Sequence, residues 1–576
     1  MSQKQIKKLR REKTALDVAS NEGKQFFFGK GFRDTVKENG LFLLGLLALV
    51  VFVYFNAMWG DFVSDDYASI TQNSALLNVK SALGSMSLTG ISTFFLAKIF
   101  GITSPIPFHL LSLLLYAIIC LLVFVFVYFL FDKKIAKATS LLFVVLPIHT
   151  EAVSWISGRP YLFVCLGVML ALNLLILYLK NGDKKYLVWF FLVTLISFMG
   201  DRVRPLATIF LVFLLVFSYN NKLPRKLPLV KIVLSGLLFL LMVGVFFWPI
   251  IVGRIASVNG GYNGSGDLFY NPLFQYPTAM TKYLQMLLWP VDLTLYHTMF
   301  VFPVWLNWAV LMAYLSCVAY SWFRDRNLFF ALAFIFVATV PSMAPVKVSW
   351  LMAERYMLLG SVGFCLFLVL VFLPLYNRYK KTMTVVFLLL MTVYGLRVIL
   401  RNINWQTNHK LWINTCQVSP NSHNAWNNIG DDYDKLGQYE NAIKGFTQST
   451  VVKPNYADAF HNRANIFYKT GRLDLARDSY NTALSIAPNL YQTYMSLSQI
   501  DLNEGKAKLA IEHSQKLVEM QPANPQSHYV LAVILARVGM IDEARKELDL
   551  TLQLNPNFEV AKKMLEQLNN MNSGGS

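Results

Sequence analysis

The sequence predicts an all-α protein in two parts, a polytopic membrane domain of about eleven transmembrane helices over residues 39–401 and a helical solenoid over residues 402–570. Three observations predict it. Hydrophobic residues make up 55% of the 576 and charged residues only 15%, too apolar for an ordinary soluble protein. Lys and Arg recur after every second apolar run, as they do on the cytoplasmic side of a membrane. From Pro420 onward, prolines, glycines and alanines repeat every 34 residues.

Seven uncharged runs are long enough to cross, or nearly cross, about 30 Å of hydrocarbon. They are Leu41–Met58, His109–Phe131, Tyr161–Leu179, Ile232–Gly253, Val301–Phe323, Asn327–Val346 and Tyr356–Asn377. Shorter runs at Ala138–Thr150, Tyr186–Gly200, Pro205–Asn221 and Thr382–Leu396 count as spans because a charged flank can snorkel to the interface. The segment 1–38, with Lys7, Lys8, Arg10 and Arg11, starts on the cytoplasmic side and is too long and charged for a cleavable signal. Even-numbered spans then end at basic clusters such as Lys133/Lys134/Lys137 and Arg378/Lys380/Lys381, so that 25 of the 36 basic residues before Asn402 fall on that side. An odd span count puts everything after Arg401 outside.

The net charge of +19 divides unevenly. Residues 1–401 carry 36 Lys and Arg against 16 Asp and Glu, whereas residues 402–576 carry 16 against 17. A nucleic-acid reader would concentrate cations on its soluble face, so this distribution points to basic loops on an anionic leaflet and excludes nucleic acid as partner. Four of five cysteines lie in apolar runs and only Cys416 falls in the soluble part, which leaves no disulfide framework and no zinc site there.

The periodic part places prolines at 420, 454, 488, 522 and 556, glycines at 437, 471, 505 and 539, and alanines at 442, 476, 510 and 544. This is the tetratricopeptide (TPR) period, with Trp426, Ile429, Gly430 and Tyr433 at the expected offsets of the first unit. Small residues Gly430, Ala464, Ser498 and Ala532 let paired helices approach, glycine opens each inter-helix turn, and proline stops the preceding helix. Four repeats are followed by a capping helix over Phe558–Leu568 and a flexible tail at 571–576. Such an array offers a groove for an extended peptide, or serves as a rigid spacer.

The loops on the predicted outer side gather ionisable residues: Asp61, Asp65 and Asp66; His149, Glu151 and Arg159; Asp201, Arg202 and Arg204; Glu354 and Arg355. Charges at a membrane boundary are costly enough to point to function. Carboxylates with arginines suit transfer from a lipid-linked phosphate sugar: a carboxylate takes the proton of an acceptor hydroxyl while guanidinium groups neutralise the departing phosphate. One carboxylate facing the phosphate across the sugar carbon gives inversion. Each group also has a structural reading: Asp65 and Asp66 as helix caps, Glu151 and Arg159 as an ion pair, Asp201 with Arg202 and Arg204 as the brace of a hairpin turn, and His109 as the anchor of a span. The pattern assigns no metal ligands.

The segments FVSDDYASI (Phe62–Ile70), LPIHTEAVSWISGRPYL (Leu146–Leu162), KYLQMLLWPVDLTLYH (Lys282–His297), AERYMLLGSVGFC (Ala353–Cys365) and RNINW (Arg401–Trp405), followed by TPRs, resemble the transmembrane and tetratricopeptide-repeat-containing protein O-mannosyltransferases and their bacterial relatives. That family resembles the GT-C glycosyltransferases, whose active site faces the lumen or periplasm and uses a polyprenyl-phosphate sugar. The resemblance implies a membrane enzyme moving a hexose, with mannose expected, to Ser or Thr of a protein held by the repeats. It makes Asp65 the base with Asp66 in support, and Arg159 and Arg355 the phosphate ligands, joined by Arg202 and Arg204. His149, Glu151, Asp201, Glu354, Lys282 and Tyr283 would line the pocket. Transfer to a glycan or lipid, and a non-catalytic membrane-anchored scaffold, are the alternatives. The single Asn-Gly-Ser at Asn263 is poor support for the secretory pathway, so the reading favours a bacterial cell membrane, with the repeats outside, over the endoplasmic reticulum.

Overall fold

The computed structural model describes residues 32–201, 203–220, 272–298, 302–343 and 352–573, with isolated positions between 223 and 252. These form two compact units that divide between Asn414 and Thr415, later than the boundary at Asn402 read from the sequence.

The first unit has helices and no strands among its described residues: α1 (Phe32–Tyr54), α2 (Val79–Gly84), α3 (Leu88–Phe100), α4 (Ile106–Leu130), α5 (Lys133–Val145), α6 (Thr150–Ser154), α7 (Arg159–Asn181), α8 (Lys184–Ser197), α9 (Ala207–Tyr219), α10 (Pro272–Leu288), α11 (Val304–Arg324), α12 (Arg326–Thr339), α13 (Gly360–Arg378), α14 (Lys380–Asn404) and α15 (Asn408–Val418), which runs across the division. Six helices among the described residues are long and apolar enough to cross a membrane, and α5 with the Pro147–Ser154 segment makes a seventh if counted as one bent span. Segments Leu88–Phe100, Arg204–Tyr219 and Arg326–Ser342 are apolar but shorter. The expected span at Ile232–Gly253 lies outside the described residues apart from scattered positions.

Spans α4 and α7 form the centre: 61% and 67% of their most apolar stretches are buried, against 17% for α14. The exposed remainder is Leu, Val, Phe and Ile, for example Leu388, Leu389 and Val393 on α14, as expected of a surface that lipid covers. The expected straight span at Ala138–Thr150 is instead broken. Helix α5 stops at Val145, Leu146 is extended with φ −71° and ψ 117°, and the chain bends by 55° before Pro147–Ser154. Pro147 is the cause, because its ring excludes the preceding residue from helical geometry and it has no N–H to donate. The bend turns His149 and Glu151 into the interior, where both are fully buried.

The second unit follows the predicted period. Four helix pairs run from His423–Lys435 with Tyr439–Val452 to Pro525–Val538 with Ile541–Leu554, and Glu559–Ser573 closes the array. Each inter-helix glycine has positive φ, between 71° at Gly437 and 92° at Gly539, a conformation that glycine adopts without steric cost. Gly430 lies so close to the facing helix that a Cβ there would meet the Phe446 ring at 2.8 Å.

Candidate functional site

The Val63–Asp66 turn follows α1 and carries both expected acids. Asp66 does not cap the short helical turn that follows it. Its Oδ2 accepts from the Val63 N–H at 3.1 Å and its Oδ1 from the Ser157 N–H at 2.8 Å and from the Ser157 hydroxyl. Burial raises its carboxyl to about 6, against the opposing pull of these hydrogen bonds and of Arg159. Asp65 is exposed, yet desolvation by the surrounding protein still raises its carboxyl, opposed by the Arg355 charge and a hydrogen bond from Ser64. Asp66 is thus locked, and Asp65 keeps an accessible carboxylate within the field of an arginine.

Arg355 and Glu151 form a buried ion pair, Nη1 to Oε1, and the Arg355 backbone N–H donates to Glu151 Oε2 at 2.8 Å. The expected Glu151–Arg159 pair is therefore not formed. Arg159 points elsewhere: Nη2 donates to Thr93 Oγ1 at 2.9 Å, Nε donates to the Ile156 carbonyl at 3.1 Å, and the guanidinium sits 5.7 Å over Phe108. The tight loop that separates the two depends on Gly158, where a Cβ would stand 2.8 Å from the Glu151 carbonyl oxygen.

The partner that the structure brings to Arg355 is Arg204. Asp201 holds the turn by accepting from the Val203 and Arg204 N–H groups at 2.9 and 2.8 Å and pairs with Arg204 Nη1. Arg204 lies 4.7 Å over Tyr161 and 4.2 Å over Tyr356, and Arg355 lies 5.3 and 5.1 Å over the same rings. Two guanidinium groups thus share one pair of tyrosines, an arrangement that delocalised cations favour in dry surroundings. Both line a small, partly open crevice of about 20 Å³, whose walls are Val164, Cys165, Ala338, Leu358 and Leu359, with Ser342 donated to by Arg204 Nε at 3.1 Å. Paired cations at one wall suit an anionic group. Arg202 lies outside the described residues.

His149 does not line this crevice. Its Nδ1 and Nε2 are satisfied by Tyr116 Oη at 2.8 Å and Ser361 Oγ at 2.7 Å, and the ring packs on Phe143. Glu354 turns the other way, pairing with the buried Arg401 at 3.2 Å and facing His297 at 3.6 Å, too long for a hydrogen bond. Lys282 is in the same electrostatic neighbourhood as His297 and Asp292, whereas Tyr283 is buried beside Tyr356, Arg204 and Arg355. His109 tethers the start of α4 to the Gly60 carbonyl at 3.1 Å, the anchoring role read for it.

Sequence reasoning missed Ser157, Tyr161 and Tyr356, although all three lie in or next to the acid- and arginine-bearing blocks. It also gave no role to Arg401 and Asn402. Asn402 accepts from Ser154 Oγ and donates to the Val53 carbonyl and Asn56 Oδ1, joining the end of α14 to α1 and α6.

Apolar spans, a buried polar cluster at one end and a 34-residue solenoid define an integral membrane protein of the TPR-bearing class. Tetratricopeptide-repeat family models match residues 430–471, 457–490 and 502–568. Protein O-mannosyl-transferase TMTC3 of mouse (Mus musculus) is 23% identical over 470 residues, covering 71% of this chain and 50% of the relative, and human (Homo sapiens) TMTC3 is 23% identical over 467, covering 71% and 51%. Protein O-mannosyl-transferase F38B6.6 of Caenorhabditis elegans is 25% identical over 451 residues, covering 70% and 61%. The chain is similar to these TMTC-type proteins over most of its length and spans about half the length of the two mammalian relatives. A crystal structure of MamA protein aligns with 26% of the chain at 18% identity and a TM-score of 0.24.

Proposed function

We propose that this chain is a glycosyltransferase that moves a hexose, mannose by the names of its relatives, from a polyprenyl phosphate to Ser or Thr hydroxyls of a protein, with inversion, on the non-cytoplasmic side of a membrane. The observation that carries this reading is the apolar crevice bearing Arg204 and Arg355 on Tyr161 and Tyr356, with Asp65 under the electrostatic influence of Arg355. Asp201 and Glu151 each hold one guanidinium from one side, which fixes the cations in place before substrate binds. In the proposed step the acceptor oxygen bonds to the sugar C1, the C1–O bond to phosphate breaks, Asp65 receives the hydroxyl proton, and the phosphate leaves as an anion facing the two arginines. Asp66 holds the turn and does not take the proton. The TPR groove is read as the site that holds the acceptor chain.

Purified full-length protein given polyprenyl-phosphate mannose and an acceptor with Ser and Thr is expected to release polyprenyl phosphate. Asp65→Asn is expected to reduce that release by at least about 100-fold while the protein still melts cooperatively. An active Asp65→Asn variant removes the base assignment. Full tolerance of substitutions at Asp65, Arg204 and Arg355 leaves the anchored scaffold as the reading.

A further inference from the structure

Among the described residues only two other than glycine have positive φ, Ser64 at 54° and Met86 at 46°. Ser64 directly precedes Asp65. A side chain in the left-handed region is unfavourable and persists only where its surroundings enforce it. Four contacts from distant segments do so here. The Ser64 N–H donates to Asn408 Oδ1 at 2.8 Å. Trp155 Nε1 donates to the Val63 carbonyl at 3.3 Å, Ser157 donates twice to Asp66, and the Asp61 N–H donates to the Gln406 carbonyl at 2.8 Å. Turn residues 61–66 are thereby held between the loop before α7 and the segment that joins α14 to α15. Asn408 makes no other side-chain hydrogen bond among those described, so its amide oxygen has this one partner.

We propose that Asn408 and Ser157 are positioning residues that hold Ser64 in its left-handed conformation and so fix the orientation of the Asp65 carboxylate that follows it. The inference rests on the reading of Asp65 as the base. Without the Asn408 acceptor the Ser64 N–H turns to water, the turn relaxes, and Asp65 spends less time where a hydroxyl proton can reach it. A displacement of this kind lowers turnover and leaves donor binding intact, because Arg204 and Arg355 are held by other residues.

The test uses full-length protein in detergent. In Asn408→Ala, kcat for release of polyprenyl phosphate from polyprenyl-phosphate mannose is expected to fall about tenfold with donor KM within about twofold. Ser157→Ala should behave likewise and Ser157→Thr, which keeps the hydroxyl, should retain most activity. Adding Ser64→Gly to Asn408→Ala should restore part of kcat, because glycine populates positive φ without enforcement. A role in stability alone would lower the melting temperature without this split or this rescue. Amide exchange over residues 62–70, expected to quicken in Asn408→Ala, reads the turn independently of activity. Unchanged exchange, or unchanged kcat in an active protein, overturns the inference. Quickened exchange in Asn408→Ala, together with a wild-type protein that releases no polyprenyl phosphate, overturns the transferase reading and confines Asn408 to a structural tether.

Discussion

Every buried arginine of the candidate site has its charge answered differently, and those answers set its tolerance to change. Arg401 is fully buried, with Glu354 at 3.2 Å and Asn414 Oδ1 at 2.7 Å. Removing one member of such a pair leaves an uncompensated charge, so Arg401→Ala is expected to destabilise the protein by about 3–5 kcal/mol. The double change Arg401→Met with Glu354→Leu is expected to cost less than Arg401→Ala alone, since no lone charge stays behind. Thermal melting in detergent checks both, and a double variant weaker than the single one contradicts the pairing. Arg159 has no ion pair within 4 Å among the described residues, and its Nη1 is buried without a hydrogen-bond partner. Asp66 is its electrostatic counterweight. The sequence showed that these acids and arginines accompany one another, but the one pairing it offered for Glu151, with Arg159, is not the one that forms. Which carboxylate faces which guanidinium depends on loop turns at Gly158 and Asp201 that no spacing rule encodes.

At the scale of elements, the break at Pro147 and the repeats show two degrees of legibility. The repeat helices are dictated locally by period, small residues and turn glycines, and they stand where the sequence put them. The α5 break was hidden inside an apolar run whose proline read as part of a short span. Helix Ala457–Lys469 carries His461, half-buried against Tyr480 with Nδ1 2.9 Å from Thr493 Oγ1. Burial lowers its imidazole from 6.5 to about 4. The unfolded chain therefore takes up a proton before the folded one does. Stability from this residue is intact above about pH 6.5 and is lost as pH falls toward 4. Amide exchange in this helix is expected to quicken between pH 7 and pH 5, by roughly 1–2 kcal/mol of lost protection, and His461→Gln is expected to flatten that dependence. An unchanged profile in the variant would show that another group governs it.

For the whole molecule, the uneven charge between residues 1–401 and 402–576 sets the expected orientation, with Lys133, Lys134 and Lys137 on the cytoplasmic side and the repeats across the membrane. In intact cells a membrane-impermeant maleimide is expected to label Asp542→Cys, at a side chain 83% exposed, and to label Lys134→Cys only after lysis. The reverse pattern would invert the topology and place the Asp65 end on the cytoplasmic side.

By itself the sequence determined the helical class, the membrane location of the first part, the count and phase of the repeats, and which blocks bear the acids and arginines. All of these follow from composition and from periodicities that act over one or two turns of chain. Tertiary structure alone decided that Arg355 shares Tyr161 and Tyr356 with Arg204 and not with Arg159, that His149 is a satisfied core residue, and that Asn408 reaches back to Ser64. Arg355 and Arg204 are 151 positions apart and Asn408 and Ser64 are 344 apart, and only the packing of the intervening helices fixes which of them meet.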